Sequence, residues 1–311
     1  MTRHAPRTSA LSALERDPLA LSLSELVNAR LRWLSKRTSL FGWGLEQGSR
    51  RSRRRGVGSE FDTIGPYQDG DDPRHIDWHA TARTGQAQVR RYFHESHRPV
   101  VFAVDLRSSM YFGTRDQLLS KTAALAAAAL SWDVAATSRP LALFWINGGG
   151  AYPILCRAGR RHYMRSITEL HNAYHVGAQR FVNGSGISMP LDLAMERWAP
   201  SLGHRADLIL ISDFSERGNE FRFIGASLQN LSLYALCIED SLTTRVFSGR
   251  FPLSRHDQPP DQNLSVGRKK PSSFRASVED WRRDLENDLY QAGYEGIGFC
   301  HSADISQAAN R

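Results

Sequence analysis

The run Val100-Val101-Phe102-Ala103-Val104 ends in Asp105 and opens into Leu106-Arg107-Ser108-Ser109-Met110. Consecutive apolar residues rich in β-branched types leave no polar face, so the strand they form is buried on both sides. Such a strand calls for a mostly parallel sheet with helices over both faces. In an open α/β sheet, ligands sit at the carboxyl ends of the strands. Asp105, Ser108 and Ser109 are placed there, and their oxygens are the hard donors that Mg²⁺ takes. Arg107 stands among them, a fixed cation where a metal site would exclude one.

The rest of the chain supplies the alternation that such a sheet needs. Ser22-Leu23-Ser24-Glu25 has capping-box spacing, and Leu23, Leu26, Val27, Leu31 and Leu34 recur at helical intervals, which predicts an amphipathic helix over 22–36. Residues 42–60, rich in Gly and Arg, read as loop, and 87–95 as a strand. Asp116–Thr137 is Ala/Leu-rich and long enough for about six helical turns. Leu141–Ile146 and Ala151–Leu155 flank Gly148-Gly149-Gly150 and predict a hairpin, hence one antiparallel edge strand. Helices are expected over 160–172, 190–198, 221–229 and 278–291, and further strands over 207–211, 231–238 and 296–300. The fold class is α/β: three layers, doubly wound, with a mostly parallel sheet. The expected division is a disordered 1–20, an N-terminal extension over 21–98, and the sheet domain over 99–311. Within the last, 248–275 is expected as an exposed excursion.

Bulk properties narrow the function classes. No stretch approaches the ~18 apolar residues needed to span a bilayer. No apolar h-region of a secretory signal opens the chain, so a cytoplasmic location is expected. The three cysteines are scattered, which suits reduced, buried thiols. The net charge is +8, and residues 1–60 hold most of the excess, twelve Arg/Lys against five Asp/Glu. Its densest part is Arg50, Arg51, Arg53, Arg54 and Arg55, a run suited to nucleic acid, anionic lipid or an acidic protein surface, or simply to water. No RNA-binding aromatic motif, zinc finger or helix-turn-helix accompanies it. A P-loop, a Gly-x-Ser-x-Gly elbow, His-Glu-x-x-His and Cys-x-x-Cys are all absent.

Two strands end in an aspartate: Asp105, and Asp213 after Leu208-Ile209-Leu210-Ile211-Ser212. Parallel neighbouring strands bring both carboxylates to one edge of the sheet. With the adjacent hydroxyls they form a candidate Mg²⁺ or Mn²⁺ site; alternatively each caps the loop that follows it.

These residues carry a resemblance. Asp105-x-x-x-Ser109 with the later Asp213 resembles the metal-ion-dependent adhesion motif of the von Willebrand factor type A fold, Asp-x-Ser-x-Ser followed by a Thr and an Asp. Glu60-Phe61, then Tyr67-Gln68-Asp69-Gly70-Asp71-Asp72-Pro73-Arg74-His75-Ile76-Asp77-Trp78, then Thr81-Ala82-Arg83-Thr84-Gly85 resembles the signature of the bacterial domain of unknown function 58 family. Asp105–Gly113 and Ile211-Ser212-Asp213-Phe214 continue that pattern in order. The resemblance implies a type A-like fold, association with a MoxR-type AAA+ ATPase, and a role in assembling or maturing other complexes. Two expected ligands differ. Arg107 stands at the second motif position in place of its first Ser, and Ile187 falls at the Thr position, with Ser185 and Ser188 as near misses.

At about 4 Å two unit charges interact by ~4 kcal/mol at an effective dielectric of 20, and a divalent ion doubles that. A guanidinium beside Mg²⁺ is repelled, whereas beside Asp105 and Asp213 it is attracted. Arg107 is therefore expected to replace the metal and fork onto a carboxylate. The alternative is an outward-pointing Arg107 with a weak Mg²⁺ site on Asp105, Ser109 and Asp213.

The acidic segment Asp69, Asp71, Asp72, Asp77 fails the EF-hand spacing. It reads as a structured loop whose Asp side chains accept from backbone N–H groups, with Arg74 or Arg83 paired to an acid and Ile76 and Trp78 as anchors. Alternatively Tyr67, Trp78 and this loop form a partner-recognition surface. The expected function is a non-enzymatic adaptor or assembly factor. The rival readings are nucleic-acid binding through Arg50–Arg55 and a metal-dependent phosphohydrolase at Asp105 and Asp213.

Overall fold

The computed structural model describes residues 19–33, 55–56, 60–68, 72–93, 98–113, 117–136, 139–147, 150–153, 157–184, 189–198, 206–219, 221–228, 230–243, 249–253, 262–266, 271–302 and 305. The chain forms two compact units, residues 1–43 with 99–311, and residues 44–98. The boundary expected at 98/99 thus divides the extension differently, because its helix α1 (Leu23–Trp33) belongs with the sheet unit.

The Ser22 capping box forms as its spacing predicts. Glu25 N–H donates to Ser22 Oγ, and Ser22 N–H donates to the Glu25 carboxylate. Lys121 Nζ reaches Glu25 at 2.8 Å and ties this turn to the sheet unit.

In the smaller unit, β1 (Arg55–Gly56), β2 (Glu60–Pro66) and β3 (Gln88–Phe93) form an antiparallel sheet in the order β1-β3-β2. Between β2 and β3 lie a 3-10 turn, Pro73–His75, and helix α2 (Trp78–Thr84). Asp72 caps the first by accepting from Arg74 N–H, and Asp77 caps the second by accepting from Ala80 N–H. The Asp-backbone bonding expected of this segment is present at both positions. β2 and α2 escaped the periodicity reading because their short polar stretches bury little. Two further expectations are corrected. Neither Arg74 nor Arg83 forms an ion pair among the described residues. Ile76 bridges to Val89, but Trp78 is 71% exposed and anchors nothing, since Ala80 supplies the buried position of α2.

In the larger unit, the six-stranded sheet uses β4 (Val100–Asp105), β5 (Leu141–Asn147), β6 (Gly150–Pro153), β7 (Asp207–Ser212), β8 (Ser232–Glu239) and β11 (Tyr294–His301), in the order β11-β8-β7-β4-β5-β6. All pairs are parallel except β5–β6, the expected antiparallel edge. Helix α3 (Leu119–Ala135) and helix α4 (Arg160–Val182) cover one face, with α1 packed outside α3. Helix α5 (Leu191–Trp198), the 3-10 segment Phe221–Leu228 and helix α6 (Pro271–Gln291) cover the other. Alternate residues of β4 serve both layers: Val101 and Ala103 join the α5–α6 core, while Val100, Phe102 and Val104 turn the other way. The alanines of α3 let neighbours approach closely, and all but a few of its residues are buried. This three-layer arrangement is the α/β class expected.

α4 runs ten residues beyond the expected 172 because Gly177 admits Tyr111. A Cβ on Gly177 would stand 2.1 Å from the Tyr111 hydroxyl, which donates to Tyr174 O at 2.7 Å. The excursion at 248–275 contains a hairpin of β9 (Gly249–Leu253) and β10 (Gln262–Val266), and α6 starts at Pro271. Cys237 and Cys300 are buried free thiols, as expected. Among the described residues no helix is long and apolar enough to cross a membrane.

Candidate functional site

The site lies where β4 and β7 end side by side. Their register pairs Val104 with Ile211, so Asp105 is level with Ser212, and Asp213 falls one residue beyond the sheet. That offset decides the contacts. Ser212 Oγ donates to Asp105 Oδ2 at 2.7 Å and accepts from Phe214 N–H at 3.0 Å. Asp213, half-buried, turns to Ser215 and accepts from its hydroxyl at 2.7 Å and its N–H at 3.2 Å. Phe214 holds φ 55°, in the left-handed region, a strain sustained by its complete burial against Phe221.

Asp105 and Arg107 are both fully buried. After Asp105 the chain bends into a 3-10 turn, Ser108–Met110, with Arg107 at its N-cap position. The Arg107 side chain folds back. Nε lies 3.0 and 3.1 Å from the two Asp105 oxygens, and Nη2 donates to Oδ2 at 2.8 Å. The Arg107 backbone N–H adds a further bond to Oδ1 at 3.0 Å. Nη1 donates to two carbonyls, Met189 O at 2.8 Å and Glu216 O at 2.9 Å. One guanidinium thus links the end of β4, the segment entering α5 and the loop after β7. Burial works against its charge, but the Asp105 carboxylate holds the Arg107 pKa above its ordinary value. Burial and the neighbouring Asp105 push the Asp213 carboxyl up.

The loop after β7 is fixed from its other side. Leu191 N–H donates to Glu216 O and Asp192 N–H to Arg217 O, so the first turn of α5 spends donors on this loop. Arg217 pairs with the buried Asp288 of α6 at 2.7 Å. Gly218 has φ +90°, and a Cβ there would stand 2.0 Å from the Asp192 carboxylate.

Among the described residues the donor set does not fit a divalent cation. Ser109 Oγ is buried with no hydrogen-bond partner among the described residues, but the Asp105 carboxylate is saturated by Arg107 and Ser212. Asp213 is engaged by Ser215, and a permanent cation stands between the three loops. Ser108 is half-buried, and its carbonyl accepts from Tyr111 N–H. Ser185, Ile187 and Ser188 lie outside the described residues, as do Asp69, Asp71 and Arg50, Arg51, Arg53 and Arg54. Arg55 lies in β1. Tyr67 is half-buried, while Asp72, Arg74 and Arg83 are exposed.

Three participants escaped the sequence reading. Ser212 was visible as a strand-end hydroxyl, but only the register makes it the Asp105 partner. The Met189 and Glu216 carbonyls are backbone groups and carry no residue signal.

Residues 64–284 match the family described as protein of unknown function DUF58. The chain belongs to the DUF58 family. Curated relatives of this DUF58 protein include the uncharacterized proteins Rv1480 of Mycobacterium tuberculosis and Mb1516 of Mycobacterium bovis. Each is 29% identical over 162 residues, covering 51% of this chain and 48% of the relative. The chain therefore spans about half the length of the curated relatives it matches. Among solved structures, the conserved hypothetical protein BatB from Bacteroides thetaiotaomicron aligns with a TM-score of 0.39 at 12% identity, over 69% of this chain and all of that one. An aerotolerance-related membrane protein from Bacteroides fragilis aligns with a TM-score of 0.37 at 11% identity, over 68% of this chain and 96% of that one.

Proposed function

We propose that this DUF58 protein is a non-enzymatic adaptor or assembly factor. It binds a protein partner at the carboxyl edge of its sheet and works with a MoxR-type AAA+ ATPase that supplies the ATP chemistry. The observation that carries this reading is Arg107: a cation built into the chain joins the three loops of a degenerate adhesion-type site. The loops are thereby held ready without Mg²⁺, and no cofactor is required. Exposed Phe112, just beyond the β4 loop, and exposed Leu193, in the first turn of α5, add apolar contact area beside it. The same geometry weighs against a metal-dependent phosphohydrolase, because the Asp105 oxygens are taken up by Arg107 and Ser212. Tyr67, Trp78 and the capped acidic segment offer a second contact surface on the smaller unit.

The test is capture of a MoxR-type ATPase by the full chain, comparing wild type with Phe112→Ser/Leu193→Ser and with Arg107→Ser. The expected outcome is capture that falls at least tenfold in the double variant while its thermal melting is unchanged. Absence of capture, or capture indifferent to both changes, overturns the reading. Titration calorimetry with Mg²⁺ and Mn²⁺ is expected to show no binding; micromolar binding lost in Asp105→Ala overturns the replacement of the metal by Arg107.

A further inference from the structure

The opposite edge of the sheet carries a cluster that the adaptor reading does not use. Arg157 pairs with Leu141, the first residue of β5, and Arg160 opens α4 three residues later. Trp132, near the C-terminal end of α3, faces this corner. The Arg160 guanidinium lies 5.1 Å from the Trp132 ring centroid, and that of Arg30, from α1, lies at the same distance. Tyr163 meets the indole edge-on at 5.1 Å and donates its hydroxyl to Ala128 O, which fixes the ring from within. Arg30, Arg157, Arg160, Arg161 and Arg165 are all exposed, and none is ion-paired among the described residues. The acids nearest in sequence are Glu25, which pairs with Lys121, Asp133, which already has a partner, and the half-buried Glu169.

Two like charges on one indole repel each other, and Arg160 and Arg161 also sit at the positive end of a 23-residue helix whose Gly159 cap supplies no side chain. No ion pair to these arginines offsets this among the described residues. Stacking on the indole preorganises the guanidinium forks for phosphate oxygens. The cluster also has apolar members. Leu31, beside Arg30, is 68% exposed, and Met164, one turn beyond Arg160, is exposed as well. Arginines beside an indole, with exposed aliphatic side chains on the same two helices, match an anionic bilayer surface: phosphates for the guanidiniums, the headgroup level for the indole, the acyl boundary for Met164 and Leu31. A nucleic-acid backbone would use the arginines and leave the aliphatic pair unexplained. We propose that this Trp132-centred face docks on an anionic lipid surface through the headgroup phosphates.

The test is cosedimentation of the full chain with vesicles of seven parts phosphatidylcholine to three parts phosphatidylglycerol. Pure phosphatidylcholine vesicles, inorganic phosphate and duplex DNA serve as the other arms. The wild type is expected to bind the anionic vesicles and not the neutral ones. Arg30→Gln/Arg160→Gln/Arg161→Gln lowers that binding about a hundredfold. Leu31→Ser/Met164→Ser, at unchanged charge, lowers it about tenfold. Replacing Arg50, Arg51, Arg53, Arg54 and Arg55 by Ser separates the other basic run and leaves the effect of the triple change in place. Should the triple variant fail to fold, Arg161→Glu at its exposed position gives the same readout. Vesicle binding unchanged in the arginine variants overturns the proposal. So does duplex DNA that competes the protein off the vesicles while Leu31→Ser/Met164→Ser binds like wild type, an outcome that makes this a nucleic-acid face.

Discussion

At the carboxyl edge of the sheet Arg107 is wholly buried and donates to a carboxylate and two carbonyls of its own chain. At the amino edge Arg30 and Arg160 stack on Trp132, exposed, with no acid partner among the described residues. The difference follows from solvation. A buried charge costs several kcal/mol unless its hydrogen bonds are satisfied internally, so Arg107 is part of the fold. An exposed guanidinium is satisfied by water and stays available to an external anion. One arginine closes a site, and the others leave one open.

The largest effect should come from breaking the closed side. Arg107→Met strands the buried Asp105 carboxylate and is expected to cost about 3–5 kcal/mol in denaturant unfolding. Replacing both partners, Asp105→Leu with Arg107→Met, is expected to recover most of that loss. A single change costing under about 1 kcal/mol would mean that the pair is not buried as described. Gly218→Ala should come next, at about 2 kcal/mol, since its left-handed φ and the Asp192 carboxylate both exclude a Cβ. An unchanged unfolding midpoint would show that the loop after β7 shifts freely.

Asp213 gives a smaller effect with a definite sign. Its folded pKa lies above the ordinary 3.8, so ionising it opposes folding as the pH rises through that range. Asp213→Asn removes the opposition. The variant is expected to be more stable than the parent at pH 7, with the difference closing as the pH falls towards 3.8. A gain that instead grows in acid would reverse the assignment. The smallest effect is expected at the open side: Arg160→Gln should change stability by no more than about 0.5 kcal/mol. A large loss would make that arginine structural and erase the contrast between the two edges.

Much of this contrast was readable in the residues themselves, for physical reasons. Val100–Val104 and Leu208–Ile211 lack a polar face and had to lie in the middle of a sheet. The Ser22 box had to start a helix, and a guanidinium two residues from a buried carboxylate had to choose between metal and acid. Other features depended on neighbours. Trp78 looked like an anchor because large aromatics favour burial, yet α2 offers it no inner face. The last ten residues of α4 became helical against Tyr111, and nothing local announces that contact.

Hydrophobic pattern and charge act within a few residues, so the residues alone carried the α/β class, the antiparallel edge at β6, the strand end at Asp105 and the one just before Asp213. The tertiary structure alone decided that Ser212 meets Asp105 while Asp213 does not, since strand register sets which residues stand level. It also decided that Met189 and Glu216 lend their carbonyls to Arg107, and that Arg30 and Arg160 meet on one indole. Each of these contacts joins residues from different elements, and their positions along the chain carry no trace of the distance between them in space.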